Sequence, residues 1–186
     1  MRRVIVQQLV SVDGFVADSE GGLDFHGAVD DFSESDAAQL RMLESVENVL
    51  LGATTYRLFV EYWPTPASAG ETITDTVNAM PKTVVSSTLG EAPWGDHAPV
   101  TIERRDPVTV ARELGDAGGV IVWGSVELTR ALFLADAVDE LHLTVIPVAL
   151  GTGIPLLPAE TAMRPLSLIA SETYASGIVS LSYSLR

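Results

Sequence analysis

Val120-Ile-Val-Trp-Gly-Ser-Val-Glu-Leu-Thr-Arg-Ala-Leu-Phe133 passes from an apolar run into a helix-forming run at Gly124-Ser125. The switch predicts a buried strand, 120–123, followed at once by a helix, 126–134. The first turn of a helix has backbone N–H groups without intrahelical partners and the positive end of the macrodipole. A glycine at that turn lets an anion approach the backbone closely. The junction is therefore a candidate phosphate site, and equally a plain chain reversal.

Outward from it, the same grammar recurs. Asn48–Leu51 reads as a strand that breaks at Gly52 into a helix, Thr54–Val60, repeating the geometry. Upstream, 3–9 is a strand closed by the turn Ser11-Val-Asp-Gly14, and a long loop runs through Gly21-Gly22. A helix starts at Ser33-x-x-Asp36 and carries the stripe Ala37, Leu40, Leu43, Val46. Trp63-Pro64-Thr-Pro66 stops the second helix; a third is expected over 72–80, then a strand over 82–87 and another over 100–103. Pro107–Leu114 is a helix with proline in its first turn. Glu140–Ile146 is a strand, 147–158 a Pro/Gly-rich loop, and 166–173 with 178–185 a terminal hairpin about Ala175-Ser-Gly177. Alternating β and α elements with a closing β run predict an α/β domain spanning 1–186: a central, mainly parallel mixed sheet, a C-terminal antiparallel hairpin, and helices on both faces.

The 186 residues are 47% apolar and 19% charged, enough to bury a sizeable core. The apolar runs are too short for the roughly 20 residues of a membrane span, and the basic start leads into a strand rather than a leader's apolar region. With no cysteine, the chain forms no disulfide and no thiolate metal site and suits the cytoplasm. The net charge of −14 repels nucleic acid and anionic membranes and leaves a small molecule as the expected partner. His26, His97 and His142 lack zinc-ligand spacing, so no metal is expected, and no Gly-x-Ser-x-Gly marks a hydrolase.

Ser11-Val-Asp-Gly-Phe-Val-Ala17, Leu50-Leu-Gly-Ala-Thr-Thr-Tyr56, Pro81-Lys-Thr-Val-Val-Ser86, Val122-Trp-Gly-Ser-Val-Glu-Leu128, Val138-Asp-Glu-Leu141 and Pro147-Val-Ala-Leu-Gly-Thr-Gly153 lie in one order along the chain. Together they resemble the dihydrofolate-reductase-like superfamily, in particular the reductase domain of riboflavin biosynthesis and its stand-alone relatives. The resemblance implies hydride transfer from NADPH to a small nitrogen heterocycle, pyrimidine- or pterin-like, or a related carbonyl compound. The cofactor is expected across the carboxyl ends of the parallel strands, where open α/β sheets bind ligands on general grounds.

By that resemblance Gly52, Ala53, Thr54 and Thr55 lie by the cofactor phosphates, although many relatives carry Arg where this chain has Ala53. Gly124, Ser125, Val126, Glu127 and Leu128 hold the pyrophosphate, with Ser125 in place of a frequent second glycine. Ala17 borders the nicotinamide, and Trp123 either meets the cofactor or fills core. Ser86 and Ser87 either hydrogen-bond the 2′-phosphate, with Lys82, Arg104 or Arg105 nearby, or form a turn. Asp13 is both a candidate proton source or substrate anchor and a turn-forming Asp before Gly. Phe15, Tyr56, Trp63, Gly151 and Gly153 are expected on the substrate side; Tyr56, Tyr62 and Trp63 form an aromatic edge there or serve helix packing. No carboxylate in 32–46 is matched to the pteridine-anchoring acid, so folate is not the expected substrate. A non-catalytic nucleotide or small-molecule binding protein with the same cleft is the alternative function, and the apolar terminal strands predict a homodimer.

Overall fold

Val4, Ile5 and Val6 are wholly inaccessible to solvent, as β-branched residues at the centre of a sheet covered on both faces must be. They belong to β1 (Val4–Ser11), which pairs in parallel with β6 (Val120–Trp123) on one side and β7 (Glu140–Ile146) on the other. The computed structural model describes residues 3–186. On the far side of β6 lie, all in parallel, β3 (Asn48–Gly52), β4 (Lys82–Val85) and β5 (Thr101–Glu103). Beyond β7, β10 (Val179–Ser184) and β9 (Ser167–Thr173) add antiparallel pairs, giving an eight-stranded sheet ordered β5-β4-β3-β6-β1-β7-β10-β9.

Strand alternation divides the core. Val4, Val6, Leu50, Val120 and Val122 face α4 (Pro107–Ala117) and α5 (Val126–Leu134), packing with Val110, Leu128 and Leu132. Ile5, Val49, Leu51, Ile121 and Trp123 face the other layer, formed by α1 (Ser33–Leu43), α2 (Ala53–Val60) and α3 (Thr74–Ala79), which contributes Leu43, Tyr56 and Val77. The expected architecture, a mainly parallel mixed sheet with a terminal antiparallel hairpin and helices on both faces, is the one observed.

Four local expectations shift. α1 ends at Leu43, and Val46 reaches the core from the following turn; α3 starts at Thr74; β4 stops at Val85. The expected 147–158 loop contains β8 (Ile154–Pro155), which pairs with β2 (Phe15–Ala17) in a two-stranded ribbon. α1 starts at Ser33 as expected, and the Ser33 N–H donates to Asp31 Oδ1, two residues earlier, at 2.8 Å. Among the described residues no helix is long and apolar enough to cross a membrane, and none of their His, Asp and Glu side chains group for a metal ion.

Candidate functional site

At the carboxyl ends of β1, β3 and β6 opens a cleft of about 880 Å³. One side of it is built by the two strand-to-helix turns singled out in the sequence. Gly52, Ala53, Thr54 and Thr55 line it from the start of α2, and Gly124, Ser125, Val126, Glu127 and Leu128 from the start of α5, with Trp123 and Ala17 beside them. Neither helix has a side-chain cap, so their first-turn N–H groups are the unspent donors expected at a helix start.

The two turns are fastened to each other. Ser125 Oγ accepts the Gly52 N–H at 2.8 Å and donates to the Trp123 carbonyl at 2.9 Å, while Thr55 Oγ1 accepts the Ser125 N–H at 2.8 Å. Gly124 and Ser125 both occupy the left-handed region, with φ of 54° and 53°. A Cβ on Gly124 would meet Thr55 Oγ1 and Cγ2 at 3.1 Å, so both the conformation and the space call for glycine. Gln8 Nε2 donates to the Gly124 carbonyl at 2.5 Å, tying the turn to β1. The Thr55 hydroxyl is thus spent inside the protein, whereas Thr54 is exposed at the cleft.

Several expected site residues lie elsewhere. Asp13 Oδ1 accepts the Ser11 hydroxyl at 2.6 Å and the Leu150 N–H at 3.1 Å, and Oδ2 accepts the Gly151 N–H at 2.7 Å. The Ser11 bond, then that from Gly151, hold its carboxyl down at about 2, so it is ionised at neutral pH and has no proton to donate. Asp13 anchors the 147–153 loop. Gly151 belongs to that anchor, and at Gly153 a Cβ would fall 2.3 Å from the Ala17 carbonyl, so this glycine serves close packing on β2. Phe15 does not border the cleft; Val16 and Ala17 do. Tyr56 is buried away from it, donating its hydroxyl to the Pro93 carbonyl at 2.7 Å.

Ser86 Oγ accepts the N–H groups of Thr88 and Leu89 at 3.2 and 3.1 Å, closing a turn, and Ser87 is exposed beside it; only their neighbour Val85 reaches the cleft. Lys82 is not available to a phosphate. Its Nζ donates to the Met80 and Asn78 carbonyls at 2.7 and 3.2 Å under the Trp94 ring, and burial pushes the ammonium down to about 8. Arg105 is engaged by Glu103 and Glu113. Arg104 is exposed and donates to the Leu89 carbonyl at 2.7 Å.

The other end of the cleft holds Tyr62, expected on the aromatic edge, and polar groups that the sequence reading did not select. Asp36, on α1, is 9% exposed, lines the cleft, and receives no hydrogen bond on its carboxylate from any described residue. Burial, with repulsion from Glu71 and Asp31, pushes its carboxyl up to about 6. Beside it Tyr62 donates to Glu71 Oε1 at 2.6 Å, a bond that with burial raises the phenol to about 12. Gln7 Oε1 accepts both Trp123 Nε1 at 2.6 Å and Gln39 Nε2 at 2.8 Å, linking the two ends of the cleft through β1. His26 also lines the cleft; among the described residues its Nε2 is buried without a partner, and burial lowers its affinity for a proton. Trp63 closes the aromatic edge, in edge-on contact with Tyr62 at 5.2 Å. One signal for Asp36 was present: at positions 36, 40 and 43 it shares the apolar stripe of α1, where a charge is out of place unless something uses it.

The sequence pattern of the RibD C-terminal domain matches residues 2–180. The chain belongs to the RibD C-terminal domain family. Among relatives, the uncharacterized protein YwjB of Bacillus subtilis (strain 168) is 28% identical over 180 residues, 95% of each chain. A riboflavin biosynthesis family protein of Shewanella sp. PV-4 superposes with a TM-score of 0.77 at 23% identity, covering 100% of this chain and 99% of that one. The Thermotoga maritima diaminohydroxyphosphoribosylaminopyrimidine deaminase/5-amino-6-(5-phosphoribosylamino)uracil reductase gives 0.62 at 14% identity, covering 100% of this chain and 57% of that one. Dihydrofolate reductase from Enterococcus faecalis, complexed with NADP(H), gives 0.59 at 15% identity over 98% and 95%. The RibD C-terminal fold is therefore dihydrofolate-reductase-like, as the motifs implied.

Proposed function

We propose that this protein is an NADPH-dependent reductase of a small nitrogen heterocycle or a related carbonyl compound, working as a homodimer. One observation carries the reading: a buried, unpartnered carboxyl, Asp36, shares a cleft with two uncapped helix starts. A charged side chain left without a partner at 9% exposure costs stability, and a ligand that pairs with it offsets that cost. The family's relation to named reductases and the fold shared with an NADP(H)-binding enzyme support the same reading.

The residues present fit a dinucleotide. The first-turn N–H groups of α2 and α5 and the Thr54 hydroxyl would receive its phosphates, and Gly124 leaves the backbone open there. The nicotinamide supplies hydride when bound. Everything else falls to the chain. Trp123, Val16 and Ala17 shape an apolar wall that excludes water, and the Gln39–Gln7–Trp123 bonds fix that wall relative to α1. Asp36 orients the substrate's N–H edge, and a carboxyl at about 6 keeps a proton exchangeable near neutral pH.

Titration with NADPH and NADP tests the reading. Trp63 and Trp123 line the cleft, so bound NADPH is expected to quench their emission, and binding to the native state alone must raise the melting temperature. Oxidation of NADPH with a panel of heterocycles then separates an enzyme from a binding protein. Should neither nucleotide change fluorescence or melting, the cofactor assignment fails.

A further inference from the structure

We infer that the substrate end of this cleft is built for an unphosphorylated ring, neutral or cationic, with His26 and the Tyr62–Glu71 pair as specificity contacts. The inference rests on the reductase reading only for which end of the cleft receives substrate. Among the described residues lining the cleft none is Lys or Arg, while Asp36, Glu71 and Glu127 are acidic. Of the cations outside the lining, Lys82 is committed to backbone carbonyls, Arg105 to Glu103 and Glu113, and Arg41 to the Ala37 carbonyl and Glu172, while Arg57 is exposed on α2.

An anion can still be held without cations by helix-start N–H groups, and the cofactor side has two such starts. The substrate end has only α1, whose first turn carries Glu34 and Asp36 and whose Ser33 N–H is taken by Asp31. A phosphate there would meet the Asp36 and Glu71 carboxylates with no Lys or Arg among the described lining residues to offset them. A ring with N–H groups fits instead. Asp36 and Glu71 offer acceptors, and the buried, unpartnered His26 Nε2 offers a hydrogen bond whose sense depends on its tautomer. A buried His26 Nε2 without a partner and an Asp36 carboxyl that receives no hydrogen bond, both lining this cleft, are groups a ligand with N–H edges would satisfy. The chain thus departs in substrate charge from the Thermotoga maritima relative, whose named substrate is a phosphoribosylamino compound.

The test compares binding of 5-amino-6-(5-phosphoribosylamino)uracil with that of the same compound lacking its phosphate, by saturation-transfer NMR and calorimetry on the full chain. The unphosphorylated compound is expected to bind at least tenfold more tightly. Glu71→Gln should narrow the gap and Glu71→Lys reverse it. His26→Phe should weaken the unphosphorylated compound at least fivefold with an unchanged melting temperature. Equal or tighter binding of the phosphorylated compound to the wild type, or binding of neither, overturns the inference. NADPH oxidation is recorded separately. A preference for the unphosphorylated ring without oxidation removes the reductase reading alone, and oxidation driven only by the phosphorylated compound removes this inference alone.

Discussion

Asp36 makes a function legible as a stability cost. Its carboxyl lies near 3.8 when the chain is unfolded and at about 6 in the fold, so the native state binds the proton more tightly. Below about pH 4 the group is neutral in both states and costs nothing. As pH rises toward 6 the unfolded chain ionises first, and native stability falls by about 2–3 kcal/mol before levelling off. Asp36→Asn removes that component. In urea unfolding between pH 4 and pH 8, the stability difference between variant and wild type should shift in the variant's favour up to about pH 6 and then hold, while substrate binding is lost. Parallel stability curves would show that the carboxyl is solvated after all. Glu140 has the opposite sign: bonds from His142 and Arg3 hold it down at about 2, so its stabilisation is present above pH 4.5 and fades as pH falls toward 2. Glu140→Gln should therefore cost about 1–3 kcal/mol at pH 7 and progressively less toward pH 2 in the same unfolding assay.

At the scale of elements, the two strand-to-helix turns act as one unit because Thr55 and Ser125 join them. Thr55→Val keeps the shape but leaves the buried Ser125 N–H without an acceptor, which costs about 1–3 kcal/mol. Thr54→Val, at an exposed position, should leave stability nearly unchanged and weaken NADPH binding. A denaturation midpoint and a dissociation constant for each variant check this split, and loss of stability from Thr54 with none from Thr55 would reverse the roles. These turns were readable because a β-branched run ending at glycine, followed by a helical pattern, has one common structural outcome. β2 and β8 were not, since strands of three and two residues leave no alternation to read. The Asp13 anchor and the Gly153 contact depend on pairing across more than 130 residues, which no local pattern encodes. Asp36 was hidden for another reason: an acid in the first turn of a helix is the ordinary companion of the macrodipole. Only its shared face with Leu40 and Leu43 told against that reading, and the orphaned His26 Nε2 left no trace in the sequence at all.

For the whole molecule, the unbalanced feature is the far edge of the sheet. β9 is the last strand, and all seven of its residues are exposed. Leu168 and Ile169, 58% and 54% exposed, lie where the β9–β10 register shifts, Leu168 facing Tyr183 and Ala170 facing Ser182 with Ile169 the extra residue between them. α1 reaches only the end of the strand, through Arg41 and Glu172, and among the described strands none pairs with the outer side of β9. Such an edge is a liability unless a partner or charge protects it, and this strand has only Glu172. A second copy meeting the hairpin about a twofold axis would cover both apolar positions with the same residues of its partner, the isologous arrangement of most closed dimers. The cleft lies at the carboxyl ends of the central strands, away from this edge, so two copies can associate without closing either site. Light scattering after size exclusion at micromolar concentration is expected to give twice the mass of one chain. Leu168→Glu with Ile169→Lys should reduce it to a single chain and make melting independent of concentration while NADPH binding persists. A wild-type mass equal to one chain would leave β9 exposed in solution and reject the dimer.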